Sequence, residues 1–234
     1  MTKKQAAKDS CTWDLEFKIQ SEYKLNTTHH SFKELTTSYN TKMVFADGPA
    51  GTAKTYLAVY AALELLKKQA VESIIYIRSV VESASQKMGS LPGEVDDKFL
   101  PWSMPLVEKL DELVGVPTRH NLMSKSIIEC IPVNFVRGLT FNNSVVIVDE
   151  AQNLTTSELV TILTRFGRGT KFIVVGDTNQ SDINGRTGFE SIFNCFVGPE
   201  SEEQGIYTFV FNDGDIVRSA ILRFIVNQLD KLKA

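Results

Sequence analysis

The chain opens polar and then turns into apolar runs separated by helical patterns. Residues 1–24 are polar and lysine-rich except for DLEFKI (14–19), where Leu15, Phe17 and Ile19 alternate as in a short strand. KMVFA (42–46) is a solid apolar run, and TYLAVYAALELLKK (55–68) has the length and composition of a helix. SIIYIR (73–78) is a second buried strand, after which residues 78–102 carry Gly89, Pro92, Gly93 and Pro101 and read as a long surface excursion. MPLVEKLDELVG (104–115) predicts a helix, IECIPVNFV (128–136) a strand pushed towards a sheet edge by Pro132, and SVVIVD (144–149) a fully buried strand. TSELVTILTRFG (156–167) is an amphipathic helix ending at Gly167, and KFIVVGD (171–177) is the next strand. A helix near 188–195, a solvated linker ESEEQ (200–204), a strand IYTFVF (206–211) and a last helix from about 214 to 232 complete the pattern. Strands alternating with helices predict an α/β fold, a mostly parallel sheet with helices on both faces. The expected organisation is an N-terminal arm, 1–24, and one domain, 25–234.

The run at 42–46 leads into GPAGTAKT (48–55), which departs at one position from Gly, four residues, Gly-Lys-Ser/Thr. In such a loop, here Gly48, Pro49, Ala50, Gly51, Thr52 and Ala53, the available backbone N–H groups and the following helix N-terminus wrap phosphates. Lys54 neutralises the outer two, and Thr55 is placed as a metal ligand. Alanine at 53 is the smallest replacement for glycine and costs something only where the backbone needs a positive φ or a methyl touches phosphate.

VVIVDEAQN (145–153) then ends a strand in two carboxylates. Asp149 is placed to bind Mg²⁺ and Glu150 to polarise the attacking water. VVGDTNQSD (174–182) ends a further strand in polar residues, and ligands of open α/β sheets lie at the carboxyl ends of strands. Convergence there puts Gln180 against the γ-phosphate or the attacking water.

Composition narrows the setting. The 234 residues are 43% hydrophobic and 23% charged, as in one globular domain, and 25 Lys plus Arg against 28 Asp plus Glu give a net charge of −3. A nucleic-acid site must therefore be a local basic patch rather than a global property. Cys11, Cys130 and Cys195 are scattered, odd in number and without a CxxC pair, which supports neither a disulfide framework nor zinc. With no signal-like segment and no apolar stretch of about 18 residues, the expectation is a cytoplasmic protein with no membrane contact.

At these motifs the sequence resembles the PhoH-like family of ATPases, which are related to the core of superfamily 1 helicases. The resemblance covers roughly residues 24–230, through GPAGTAKTYLA (48–58), GSLPGEVDDKFLPW (89–102), RGLTFNNSVVIVDEAQN (137–153), LTRFG (163–167), GDTNQSD (176–182) and DIVRSAI (215–221), in the family's order. It implies a single RecA-like P-loop NTPase domain that binds ATP with Mg²⁺, hydrolyses it, and assembles as a homo-oligomer, commonly a hexameric ring. It also implies an RNA connection, and short, domain-only versions resemble those common in bacteriophages, which would place this chain in the host cytoplasm. Three departures stand out: Ala53 for glycine, Ser79 for the proline that usually follows arginine, and His29 where relatives often have a glutamine that reads the adenine edge. His29 is either a nucleobase contact or a surface helix residue.

Fast hydrolysis needs a positive charge beside the γ-phosphate, often an arginine from a neighbouring subunit. Arg165, Arg168, Arg186 and Arg218 are the candidates, with Arg165 and Arg218 inside blocks that resemble the family pattern. Single-stranded RNA or DNA contact rests on Arg78, Lys87 and Lys98, with Trp102 as a stacking surface, and on Lys3, Lys4 and Lys8. The acidic EVDD (94–97) counts against a continuous basic track. Two alternatives to an ATPase acting on single strands stay open. One is a nuclease or nuclease-associated module using carboxylates near Asp177 and Asp182, and the other is a nucleotide-gated scaffold with slow hydrolysis.

Overall fold

A computed structural model describes residues 16–20, 23–79, 95–178, 180, 188–217 and 228, with the backbone course alone for 95–102. Six strands form one sheet: β1 (Met43–Asp47), β2 (Ser73–Arg78), β3 (Ile128–Pro132), β4 (Ser144–Asp149), β5 (Lys171–Val175) and β6 (Ile206–Val210). Their order is β3-β2-β4-β5-β1-β6, and every pairing is parallel. The expected α/β sheet is present, and Pro132 ends the edge strand β3 as its missing N–H requires.

Alternate residues of each strand feed two separate cores. Val44, Ala46, Ile74, Tyr76, Val145, Ile147, Ile173 and Val175 face one, with α2 (Lys54–Lys67), α1 (Thr27–Thr37), α3 (Val95–Val114) and α4 (Val116–Ser124) above them. Met43, Phe45, Ile75, Ile77, Val146, Val148, Phe172 and Val174 face the other, under α5 (Thr156–Leu163) and α6 (Gly188–Cys195). Burial on both faces explains why these strands read as continuous apolar runs instead of alternating ones. In α2, Leu57, Leu63 and Leu66 are almost wholly buried, each worth roughly 1.5–3 kcal/mol of apolar transfer. No described helix is long and apolar enough to cross a membrane.

Several segments differ from the sequence expectation. Helix α1, implied only by the reading of His29 as a surface helix residue, is given no bounds by the sequence, because TTHHSFKELTT has little apolar periodicity. It is started by a reciprocal cap in which Asn26 and His29 each accept the other's backbone N–H, and it buries His29, Phe32 and Thr36. Helix α3 starts at Val95, inside the stretch expected to be an excursion, and runs through Pro101 and Pro105, residues that ordinarily end a helix. Helix α4 follows Gly115, whose φ of 78° turns the chain. The expected linker at 200–204 lies largely within a short helix, α7 (Pro199–Glu203). The described part of DLEFKI is not a strand; Phe17 packs into the α2 core and Gln20 N–H donates to Leu113 O at 2.8 Å. Of the last expected helix, residues 218–227 and 229–232 lie outside the described residues.

Because all strands run the same way, their carboxyl ends share one edge. Register puts Arg78 of β2 beside Asp149 of β4 and Pro132 of β3, and Ala46 of β1 beside Val175 of β5. The site is built on that edge.

Candidate nucleotide site

Residues 48–53 join β1 to α2 in a loop whose shape is set by its backbone angles. Gly48 has φ 151°, and a Cβ there would lie 2.7 Å from Phe211 Cβ and 2.8 Å from Phe211 O, so no side chain fits. Gly51 has φ 92°, and its carbonyl accepts from Val217 N–H at 3.0 Å. Thr52 Oγ1 donates to Pro49 O at 2.9 Å and tightens the turn. Ala53 sits at φ 60°, ψ 24°, the left-handed region, so the condition under which alanine costs something is met. That cost is about 1–2 kcal/mol for a residue with a Cβ.

Lys54 opens α2, and its ammonium donates to the carbonyls of Gly48 and, at 3.0 Å, Pro49. Burial pulls its pKa below the ordinary 10.5, opposed by the nearby carboxylates of Asp177, Asp47, Glu150 and Asp149. An anion brought to this ammonium offsets that burial, as a phosphate group would.

Asp149, 3% exposed, ends β4 and accepts from Thr55 Oγ1 at 2.7 Å and from the Tyr76 hydroxyl of the adjacent β2. Burial, Asp149's charge and that hydrogen bond push the Tyr76 hydroxyl far up, so it stays a donor. Glu150 follows with φ 51°, which turns its side chain away from the strand direction. One of its oxygens accepts from Gln152 Nε2 at 2.5 Å, and the other lies 3.6 Å from Arg78 Nη2. Gln152 Oε1 in turn accepts from Asp177 N–H at 3.1 Å, bridging the ends of β4 and β5. The Asp47 carboxylate accepts from Thr178 N–H and Oγ1 at 2.9 and 2.8 Å, closing the loop after β5 onto β1.

A cavity of about 410 Å³ lies over this edge, lined by Ala50, Gly51, Ala53, Lys54, Thr55, Asp149, Glu150 and Gln180. Tyr23, Tyr56 and Lys109 also line it, with the Tyr23 ring edge-on to Tyr56 at 4.6 Å between centroids. The structure thus brings together Lys54, Thr55, Asp149, Glu150 and Gln180. Thr55 Oγ1 and the Asp149 carboxylate are hard oxygen donors of the kind Mg²⁺ takes, so these residues fit that ion.

Other expected residues lie elsewhere. His29 is 1% exposed rather than on the surface, does not line the cavity, and sits 5.8 Å from the Phe211 ring. Arg165 folds back on α5, donating to Thr161 O at 3.2 Å and Thr164 Oγ1 at 3.4 Å. Arg78 stands beside Glu150. Arg168 is described and does not line the cavity, while Lys87, Arg186, Arg218, Asp182 and the N-terminal lysines fall outside the described residues, as do the side chains of Lys98 and Trp102.

Tyr76 and Gln152 were not singled out by the sequence. Their signals were a lone hydroxyl within SIIYIR and the glutamine of VVIVDEAQN. Neither has a meaning until β2 is known to neighbour β4.

The family model of PhoH-like proteins matches residues 24–230. The chain is 37% identical over 191 residues to the PhoH-like protein of Bacillus subtilis (strain 168), covering 81% of this chain and 58% of that protein. It is 35% identical over 184 residues to Protein PhoH of Escherichia coli (strain K12), covering 77% and 51%. The chain therefore spans little more than half the length of these curated relatives. Among solved structures, Pif1 helicase from Candida albicans shares 16% identity at a TM-score of 0.40, over 81% of this chain and 39% of that one. By its matched span and these relatives, this chain belongs to the PhoH-like protein family.

Proposed function

We propose that the domain of residues 25–234 binds ATP with Mg²⁺ and hydrolyses it, working as a hexameric ring on single-stranded RNA or DNA. The observation that carries the reading is the convergence of Lys54, Thr55, Asp149 and Glu150 on one cavity at the carboxyl edge of the sheet. The loop N–H groups and the α2 N-terminus hold the phosphates, and Lys54 neutralises the outer ones. Mg²⁺ held by Thr55 and Asp149 supplies charge neutralisation on the phosphate oxygens. Glu150 accepts the proton of the attacking water at a carboxylate oxygen, Gln152 keeps that carboxylate in place, and Gln180 hydrogen-bonds the γ-phosphate or the water. Arg165 or Arg218 of a neighbouring subunit supplies the cation that raises the rate by about 10³–10⁵. Arg78, Lys87, Lys98 and Trp102 meet the strand.

A second reading, a nucleotide-gated scaffold with slow hydrolysis, is favoured by one observation: both Glu150 oxygens already have partners. The deciding experiment measures ATP turnover with Mg²⁺, wild type beside Glu150→Gln, with and without single-stranded RNA, and records mass by light scattering. Turnover that rises with RNA, is lost in the variant and accompanies a ring-sized mass supports the motor. Tight ATP binding without turnover supports the scaffold, and absence of ATP binding overturns both.

A further inference from the structure

Arg78 and Glu150 join the residue assigned to strand contact with the residue assigned to water activation. Arg78 ends β2, in register with Asp149 on one side and Pro132 on the other. Its Nη2 stands 3.6 Å from Glu150 Oε1, with side chains 27% and 40% exposed, so an anion arriving from solvent reaches the guanidinium without unfolding anything. The next residue, Ser79, donates to Asn153 O at 3.0 Å. Residues 78–79 are thus tied twice to residues 150–153, and a displacement of one segment is felt by the other.

The Arg78 pair occupies a carboxylate oxygen of Glu150 to which a water would otherwise donate. A phosphodiester is the natural competitor, since guanidinium binds phosphate oxygens in the same forked geometry as carboxylate. We infer that Arg78 is a positioning residue that restrains Glu150 until a phosphodiester strand takes its guanidinium, so that strand binding frees the base. This rests on the reading of Glu150 as the water-activating group. The size of the effect follows from the exposure of the pair: an exposed ion pair shifts an equilibrium by about two- to fivefold.

Two measurements test it. In the first, ATP turnover is followed for wild type, Arg78→Gln and Arg78→Lys, with and without oligouridine or oligothymidine. Arg78→Gln is expected to turn over about two- to fivefold faster than wild type without a strand, at unchanged KM for ATP, and to gain nothing when either oligonucleotide is added. Arg78→Lys keeps the charge and stays stimulated. An unchanged or lower strand-free kcat in a folded Arg78→Gln overturns the inference. The two oligonucleotides distinguish RNA from DNA as the source of the phosphodiester.

The second measurement does not need hydrolysis. Coupling is reciprocal, so Glu150→Gln frees Arg78 and binds a labelled oligonucleotide about two- to fivefold more tightly than wild type by fluorescence anisotropy. Equal affinity, or no binding by either protein, overturns the inference. Should wild type hydrolyse no ATP under any condition, the motor reading fails while this affinity comparison still decides the coupling.

Discussion

The Tyr76 hydroxyl, on β2, donates to the Asp149 carboxylate at the end of β4, while Thr55 at the start of α2 donates to that carboxylate's other oxygen at 2.7 Å. Two elements outside β4 therefore aim one buried acid. Tyr76→Phe removes one hydrogen bond to a buried charge and is expected to lower unfolding free energy by about 1.5–3 kcal/mol in urea titration. It also lets the carboxylate turn, so the Mg²⁺ concentration for half-maximal ATP turnover rises. A variant as stable as wild type with the same Mg²⁺ dependence would show that Thr55 alone suffices.

Gln152 acts through two atoms at once, holding Glu150 with its amide nitrogen and the Asp177 N–H with its amide oxygen. Gln152→Ala releases the carboxylate without touching the phosphate loop. The expected result is a kcat lower by up to about a hundredfold, as for a misplaced catalytic group, with ATP affinity little changed. Affinity measured by calorimetry beside steady-state turnover separates the two, and a matching loss in both would place Gln152 in nucleotide binding.

At position 53 the backbone and the side chain disagree. Glycine relieves about 1–2 kcal/mol of left-handed strain but loses a partly buried methyl and restores about 0.4–1 kcal/mol of unfolded-chain freedom. Ala53→Gly is therefore neutral to slightly stabilising, by less than about 1 kcal/mol. Ala53→Val, β-branched at φ 60°, destabilises by more than about 1 kcal/mol. Thermal unfolding of the two variants checks the pair, and a stabilising valine would refute the strain.

Asp215 ties the start of α1 to the turn at 212–215. It accepts from Asn26 Nδ2 at 2.7 Å, from Asn212 N–H at 2.9 Å and from Thr28. Burial alone would raise its carboxyl, but these hydrogen bonds and the neighbouring His29 hold it below the ordinary 3.8. A depressed carboxyl stabilises the fold above its unfolded value and loses that contribution as pH falls through its folded value. Asp215→Ala is expected to cost about 1.5–3 kcal/mol at neutral pH. The difference from wild type should shrink as pH falls below about 3.8. Urea unfolding at neutral and acid pH measures it, and a pH-independent difference would contradict the shift.

What the sequence disclosed depends on locality. Strands β1, β2, β4 and β5 and helix α2 announce themselves because burial on every side leaves apolar runs. Lys54, Thr55, Asp149 and Glu150 do so because each sits at a fixed offset from such a run. Helix α1 stays hidden because its stability comes from one cap and from contacts such as Phe32 on Phe209 and Phe211. The first turns of α3 are masked by two prolines. Gln152, Tyr23 and Lys109 reach the cavity, and Tyr76 reaches Asp149, only through strand order and helix packing, and nothing local encodes that β2 lies beside β4.

Gly48 and Gly51 are made well before Phe211, which walls the first, and Val217, which donates to the carbonyl of the second. A ribosome adding about 5–20 residues per second needs roughly 10–30 s to cover that interval. Throughout it the loop has its own residues but not its walls. The phosphate loop thus lacks these two contacts until Phe211 and Val217 have been added. ATP in the surrounding solution meets the walled loop only after β6 has been made.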